Sequence, residues 1–334
     1  MDVRVLAGSF SGVVRASRSR PFAVAFVLLS LLLLQGLHRP ALASRQEAVL
    51  YPRALVSLPD GGDSHAILVE KQSARLLVYR HKEGDLKKVL EVPCSIGFKK
   101  GRKVRPWDGR TPEGVFWIIR KMEDGGLAPR YGIGALVLDY PNLFDKLQGR
   151  DGHGIWIHGT QDPRRIRNPR SSNGCVVVTN EAFREISSLV RVEETPVIIE
   201  PSLHMLQRQA WSVQRERFLS LLGRWKETWS QMGFSPQAVE LYSRRFESEP
   251  RGAAHFLRWR GYVARRLGVK EVSLRDIYVL RSGPLAISRF KFFWGTEASP
   301  RWKGMSIYWA MEDGRWKIIA EDVLGWADLQ DGER

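Results

Sequence analysis

His158 and Cys175 stand seventeen positions apart, and together they could carry out acyl transfer through a sulfur nucleophile. A thiol becomes a nucleophile when a base or a positive environment helps it ionise. His158 closes the apolar run Ile155-Trp156-Ile157 and is the candidate base. Cys175 follows Ser172-Asn173-Gly174, and Gly174 permits a tight backbone with nothing blocking approach to the sulfur. If the strands bearing them pair, His158 reaches the sulfur and holds it as thiolate. The thiolate attacks an amide carbonyl, while the backbone N–H of Cys175, with that of Gly174 or Asn173, stabilises the oxyanion. The imidazolium then protonates the leaving amine, and an amine or water resolves the thioester. Spacing alone leaves a second reading open, in which the two are unrelated core residues, because such sites are defined by geometry.

The other cysteine, Cys94, adjoins the strand-like run Val89 to Pro93 and reads as a small buried hydrophobe. In an oxidising compartment it could instead pair with Cys175, which would abolish the nucleophile. A metal reading fails on ligand count. His153 and His158 are five apart, so on one strand they would face opposite ways, and no further ligand pair accompanies them. No cofactor or metal is expected.

The elements around the pair are mainly strands. Apolar runs at 66–70, 75–80, 87–93, 114–119, 135–138, 154–158, 176–178 and 194–200 read as strands, with a hairpin at Lys71 to Ala74. Thr179 or Asn180 caps a helix from Glu181 to Val190, with Phe183, Ile186 and Leu189 on one face. Residues 62–201 thus form a β-rich domain. From 202 to 329 the order reverses, with helices expected at 206–232, 235–246 and 253–267. Strands follow at 272–280, 285–294, 302–311 and 315–322, the last two joined at Asp313-Gly314. Helices followed by antiparallel strands make an α+β domain.

Residues 1–43 read as a targeting segment: arginines, then the uncharged run Phe22 to Leu34, then Ala41-Leu42-Ala43. The protein is therefore expected in the periplasm or cell envelope, with residues 44–61 as a linker. If uncleaved, the same run would anchor it to the inner membrane. The 334-residue chain carries a formal charge of +16, which favours polyanionic partners. No nucleic-acid-binding signature accompanies that charge, and no nucleic-acid partner is expected.

His158-Gly159, followed after a loop by Ser172-x-Gly174-Cys175, resembles the signature of the L,D-transpeptidase (YkuD) catalytic domain. Thr111-Pro112-Glu113-Gly114, Asp139-Tyr140-Pro141-Asn142 and Gly154 to Thr160 extend the likeness over roughly residues 64–200. The resemblance implies a β-sandwich or barrel, peptidoglycan stem peptides as substrate and no cofactor. Cys175 would acylate on the third stem residue, release D-Ala and pass the acyl group to an amine. His158 would be oriented by the Gly159 carbonyl. At the same site, transfer to water would make the protein an L,D-carboxypeptidase or hydrolase. A dead site would leave a wall-binding protein. Two positions depart from the common pattern: Asn173 where many members have histidine, and Val177 where many have arginine. Ser172 and the arginines of the loop, Arg164, Arg165, Arg167 and Arg170, are then candidates for binding the substrate carboxylate. A solvated basic loop is the other reading of those arginines. The pattern from about 211 to 326 resembles the nuclear-transport-factor-like (SnoaL-like) cone, with helices packed into a curved antiparallel sheet. That resemblance implies a docking role for an envelope ligand; Trp259, Trp294, Trp302 and Trp309 are candidate stacking surfaces, although the reading favoured for most of them is core.

Overall fold

The computed structural model describes residues 49–324 except 61, 124–125, 231–233, 249–250, 270 and 297–298. The targeting segment expected at 1–43 lies outside the described residues.

The chain is mainly β. Its first strands are β1 (Leu50–Pro52), β2 (Leu55–Ser57), β3 (Ser64–Glu70), β4 (Arg75–Lys82), β5 (Asp85–Pro93), β6 (Gly114–Glu123) and β7 (Gly134–Leu138). A one-turn helix α1 (Leu143–Leu147) leads to β8 (Trp156–His158), and α2 (Arg164–Arg167) to β9 (Val176–Val177). Helix α3 (Asn180–Leu189) and β10 (Pro196–Glu200) complete this part. Eight strands form one mixed sheet in the order β5-β4-β3-β10-β6-β7-β8-β9. Two of its pairings are parallel, β10 with β3 and β8 with β9.

Strands β3, β4 and β10 explain why their sequences lack a clean alternation. They are covered on both faces, as strands in the interior of a sheet with two cores are. Ile67, Val69, Leu76, Val78, Val197 and Ile199 face one core, while Ala66, Leu68, Leu77, Tyr79 and Ile198 face another. The first core is closed by α3, whose Ala182, Phe183 and Ile186 lie on it. Thr179 caps that helix by accepting the Ala182 N–H.

The rest of the chain contributes β11 (Met205–Gln207), α4 (Arg208–Ser230), α5 (Pro236–Val239), α6 (Ala253–Arg266), β12 (Val272–Ser282), β13 (Leu285–Thr296), β14 (Ser299–Glu312) and β15 (Arg315–Leu324). The four last strands form an antiparallel sheet on which the helices pack, burying Phe218, Leu222, Trp225 and Leu257 against Phe290, Ile307 and Trp309. A buried ion pair, Arg260 with Glu321, sits under the helices and is shared with Tyr242 and Trp225.

Two expectations are corrected. Half of the described part of the 44–61 linker is strand: β1 pairs with β11, and β2 is the edge strand beside β12. Leu55 and Leu58 are buried in a core that also takes in Trp117, Phe144, Leu280 and Tyr308, so the two halves share one interior. The helix expected through residue 246 stops at Val239. Beyond it the backbone pairs with β15, Ser243 N–H to Ile318 C=O and Ile318 N–H to Leu241 C=O. A tertiary ladder replaces the local helix there. Of the four candidate stacking tryptophans, Trp309 is fully buried and its indole N–H donates to Ser288. Trp302 lies against Phe293 and Trp294 against Phe292. Only Trp259 borders a cavity, about 420 Å³ in volume, with Trp229 and Arg260.

Candidate active site

Strand β8 ends at His158, and Cys175 immediately precedes β9. The parallel register sets Ile157 beside Val176 and His158 beside Val177. Extending it by one residue places Cys175 beside Trp156. Side chains alternate along a strand, so Trp156, His158, Cys175 and Val177 share one face. Ile157, Val176 and Val178 turn the other way, into the core. His158 and Cys175 border one cavity of about 360 Å³.

The cysteine turn is held by hydrogen bonds to residues far away in sequence. Gly174 adopts φ +136°, and a Cβ there would lie 2.8 Å from the Arg110 carbonyl oxygen. A side chain is excluded both by conformation and by space. Thr111, fully buried, donates its hydroxyl to the Gly174 carbonyl at 2.9 Å and accepts the Gly97 N–H at 2.8 Å. Lys71 fixes the next link, donating to the Thr111 carbonyl at 2.8 Å and pairing with Glu113 at 2.7 Å. The Thr111 to Gly114 segment is therefore a clamp on the cysteine loop.

His158 is buried, and its Nδ1 lies 2.6 Å from the Gly159 carbonyl oxygen. Nδ1 carries the proton in that contact, leaving Nε2 as the acceptor. Tyr131 packs edge-on against the ring at a centroid distance of 5.0 Å. Burial, reinforced by Arg165 and Arg130, lowers the His158 pKa to about 4, against the raising effect of the Gly159 bond. The thiol of Cys175 lies 3.3 Å from the Gly154 carbonyl oxygen. Burial raises its pKa above the ordinary value, although the Trp156 N–H and the nearby cations act the other way. Desolvation and the carbonyl beside the sulfur favour a thiol and a neutral imidazole at rest, where the sequence led to the expectation of a thiolate.

The other candidates divide. Asn173 borders the cavity and is exposed. Ser172 also borders it, but its hydroxyl donates to the Cys175 carbonyl at 2.6 Å and accepts the Gly174 N–H at 3.0 Å. Its hydroxyl therefore shapes the loop instead of meeting substrate. The same bond occupies the Gly174 N–H expected as an oxyanion donor. Of the four loop arginines only Arg165 reaches the cavity. Arg164 folds back on Asp162 at 2.8 Å, Arg167 is exposed elsewhere, and Arg170 lies toward Lys71. The cation missed in sequence is Arg130, which stacks on Tyr131 and accepts an Arg165 N–H on its carbonyl. Nothing local in the sequence marks it, since it comes from the loop before β7. Lys103 borders the cavity too, held by Asp108 at 3.0 Å. His153 also borders it, because it precedes β8 and strand alternation does not govern it. Both cysteines are free, which removes the disulfide alternative. Cys94 is sealed in the core, and burial pushes its thiol up to about 12.

Residues 64–199 match the YkuD family model, the L,D-transpeptidase catalytic domain. That segment is a YkuD domain. The family acts on the stem peptides of peptidoglycan. No curated protein sequence matches the chain. Among solved structures, Bd1075 from Bdellovibrio bacteriovorus is similar, with TM-score 0.69 and 23% identity over 82% of this chain and 98% of that one. The helical cell shape determining protein Pgp2 from Campylobacter jejuni is similar at TM-score 0.62 and 22% identity, over 80% and 95% of the two chains. The shared fold thus runs through the YkuD domain and the sheet that follows it.

The clamp gives a direct test. Thr111→Val keeps the shape but leaves the Gly174 carbonyl and Gly97 N–H without their hydroxyl partner. Denaturant unfolding is expected to show a loss of about 1–3 kcal/mol, the cost of orphaned buried polar groups. Unchanged stability would show that the hydroxyl is not holding the loop.

Proposed function

We propose that the protein opens the L,D-peptide bond of peptidoglycan stem peptides through an acyl-enzyme on Cys175. The placement of a thiol and an Nε2 acceptor on one strand face, bordering one cavity, carries this reading. Nε2 of His158 takes the thiol proton as sulfur attacks the carbonyl of the third stem residue. The backbone N–H of Cys175, with that of Asn173, stabilises the oxyanion, since the Gly174 N–H is engaged. The C–N bond then breaks, His158 passes its proton to the departing nitrogen, and the terminal residue leaves as a free amino acid. The thioester is resolved by a second nucleophile, whose proton returns through His158 to the sulfur. Arg130 and Arg165 are the groups placed to receive the donor's carboxylates.

Charge supports one choice of second nucleophile. Lys103, Arg130 and Arg165 border the cavity and, among the described residues, no carboxylate does. This field disfavours the ammonium end of an acceptor stem beside the sulfur, whereas water is unaffected. The cavity therefore favours hydrolysis, an L,D-carboxypeptidase reaction, over the amine transfer that the family name implies. Transfer to an amine is the second reading, supported by the family match. The arginine-rich, then apolar N-terminal sequence supports an envelope location under either reading.

Mass spectrometry of a tetrapeptide-bearing muropeptide incubated with the protein separates the readings. Tripeptide product is expected; crosslinked dimer would mean transpeptidation, and unchanged substrate would contradict both. Cys175→Ala is expected to abolish the product and Cys94→Ala to retain it. The pH profile follows from His158. Protonated imidazole cannot accept the thiol proton, so kcat/KM is expected to hold as pH falls to 5 and then decline through about 4. A decline centred near the ordinary histidine value of 6.5 would contradict the neutral, buried base.

A further inference from the structure

Trp107 is 82% exposed, the most exposed of the large apolar side chains described, and it stands at the border of the Cys175 cavity. Its backbone is left-handed, φ +59°, a conformation that costs energy for a bulky residue. The fold holds it there through the next residue. Asp108 is buried and accepts the Val104 N–H at 2.8 Å, the Arg105 N–H at 3.3 Å and the Arg110 N–H at 3.1 Å. Lys103 donates to the same carboxylate at 3.0 Å, and the loop is tied to its neighbour by Asp151 N–H to the Val104 carbonyl at 3.0 Å. A rigid, hydrogen-bonded loop thus presents an indole to solvent in a conformation that only a well-determined surround maintains. His153 supports the indole edge-on, with ring centroids 5.7 Å apart. Nothing in the acyl chemistry uses this ring.

We infer that Trp107 is a stacking platform for a pyranose ring of the glycan strand to which the stem peptide is attached. This rests on the peptidoglycan reading and extends it to the sugar. The neighbours decide the class of ligand. Lys103, His153, Arg130 and Arg165 border the cavity beside Tyr131 and Trp156, so the indole stands in a rim that mixes aromatic faces with cations. A lipid surface or an apolar protein face would need a contiguous apolar patch. A sugar offers a C–H face for the ring and hydroxyl and amide groups for the polar rim, which suits an amphipathic aromatic. The ring's position at the mouth fits a ligand whose peptide enters the cavity while its sugar stays outside.

The test is calorimetric and uses the full chain carrying Cys175→Ala, so that no turnover occurs. A disaccharide-tetrapeptide is expected to bind roughly tenfold tighter than the same tetrapeptide without sugar, the worth of one tryptophan anchor. Adding Trp107→Ala should bring that ratio to about one, and Trp107→Phe should keep most of it. A ratio of one in the protein bearing Trp107, or a ratio that Trp107→Ala leaves intact, would overturn the inference. Failure of the Cys175 assignment would look different: intact muropeptide after incubation with the unmutated protein, with the sugar preference in binding still present.

Discussion

The parallel pairing of β8 with β9 is the constraint on which the site depends. It brings two short runs, joined by the loop that carries α2, into a register where His158 and Cys175 share a face. Neither strand could stand alone, at three and two residues. They persist because Ile157, Val176 and Val178 insert into the core beneath α3, and because Val177 is locked on its other side to Ser95 by two backbone bonds, of 2.7 and 2.8 Å. Burial of those valines thus supplies the free energy that holds the reactive pair in place. The clamp through Thr111 and Lys71 then sets the sulfur's own turn.

The same burial determines the electrostatics. Removing water from both groups favours their neutral forms, and the surrounding cations push the imidazole further from protonation. The pair does not store an ion pair in the resting state. It is arranged so that charge appears only when the sulfur attacks. The cations that depress His158 are also those positioned for substrate carboxylates, so a bound anion would offset their effect on the imidazole. On the proposed function, substrate entry would therefore be coupled to base strength through Arg130 and Arg165.

Much of this was legible in the sequence, for identifiable reasons. The strands around 66–70, 75–80 and 114–119 are long apolar runs, and period and length mark them without tertiary information. His158, Gly174 and Cys175 were legible because glycine beside cysteine and histidine after an apolar run are local patterns. What stayed hidden is non-local. Arg130 reaches the cavity only because its loop folds over Tyr131. Ser172 reads as a ligand-binding hydroxyl until its bonds to Gly174 and Cys175 are seen. The strands in 49–57 read as linker because three-residue segments have no period to detect, and their partners lie at 205–207 and in β12. The end of α5 was hidden for the same reason: pairing with Ile318 cannot be foreseen from local propensity.

The central claim is that Cys175 rests as a protonated thiol beside a neutral imidazole. Alkylation of Cys175 by iodoacetamide, followed against pH by mass spectrometry in the Cys94→Ala protein, measures this directly, since only thiolate reacts at speed. The rate is expected to climb with pH, with its midpoint above the ordinary thiol value. A rate already at its plateau in mildly acid solution would reveal a preformed thiolate–imidazolium pair and contradict it.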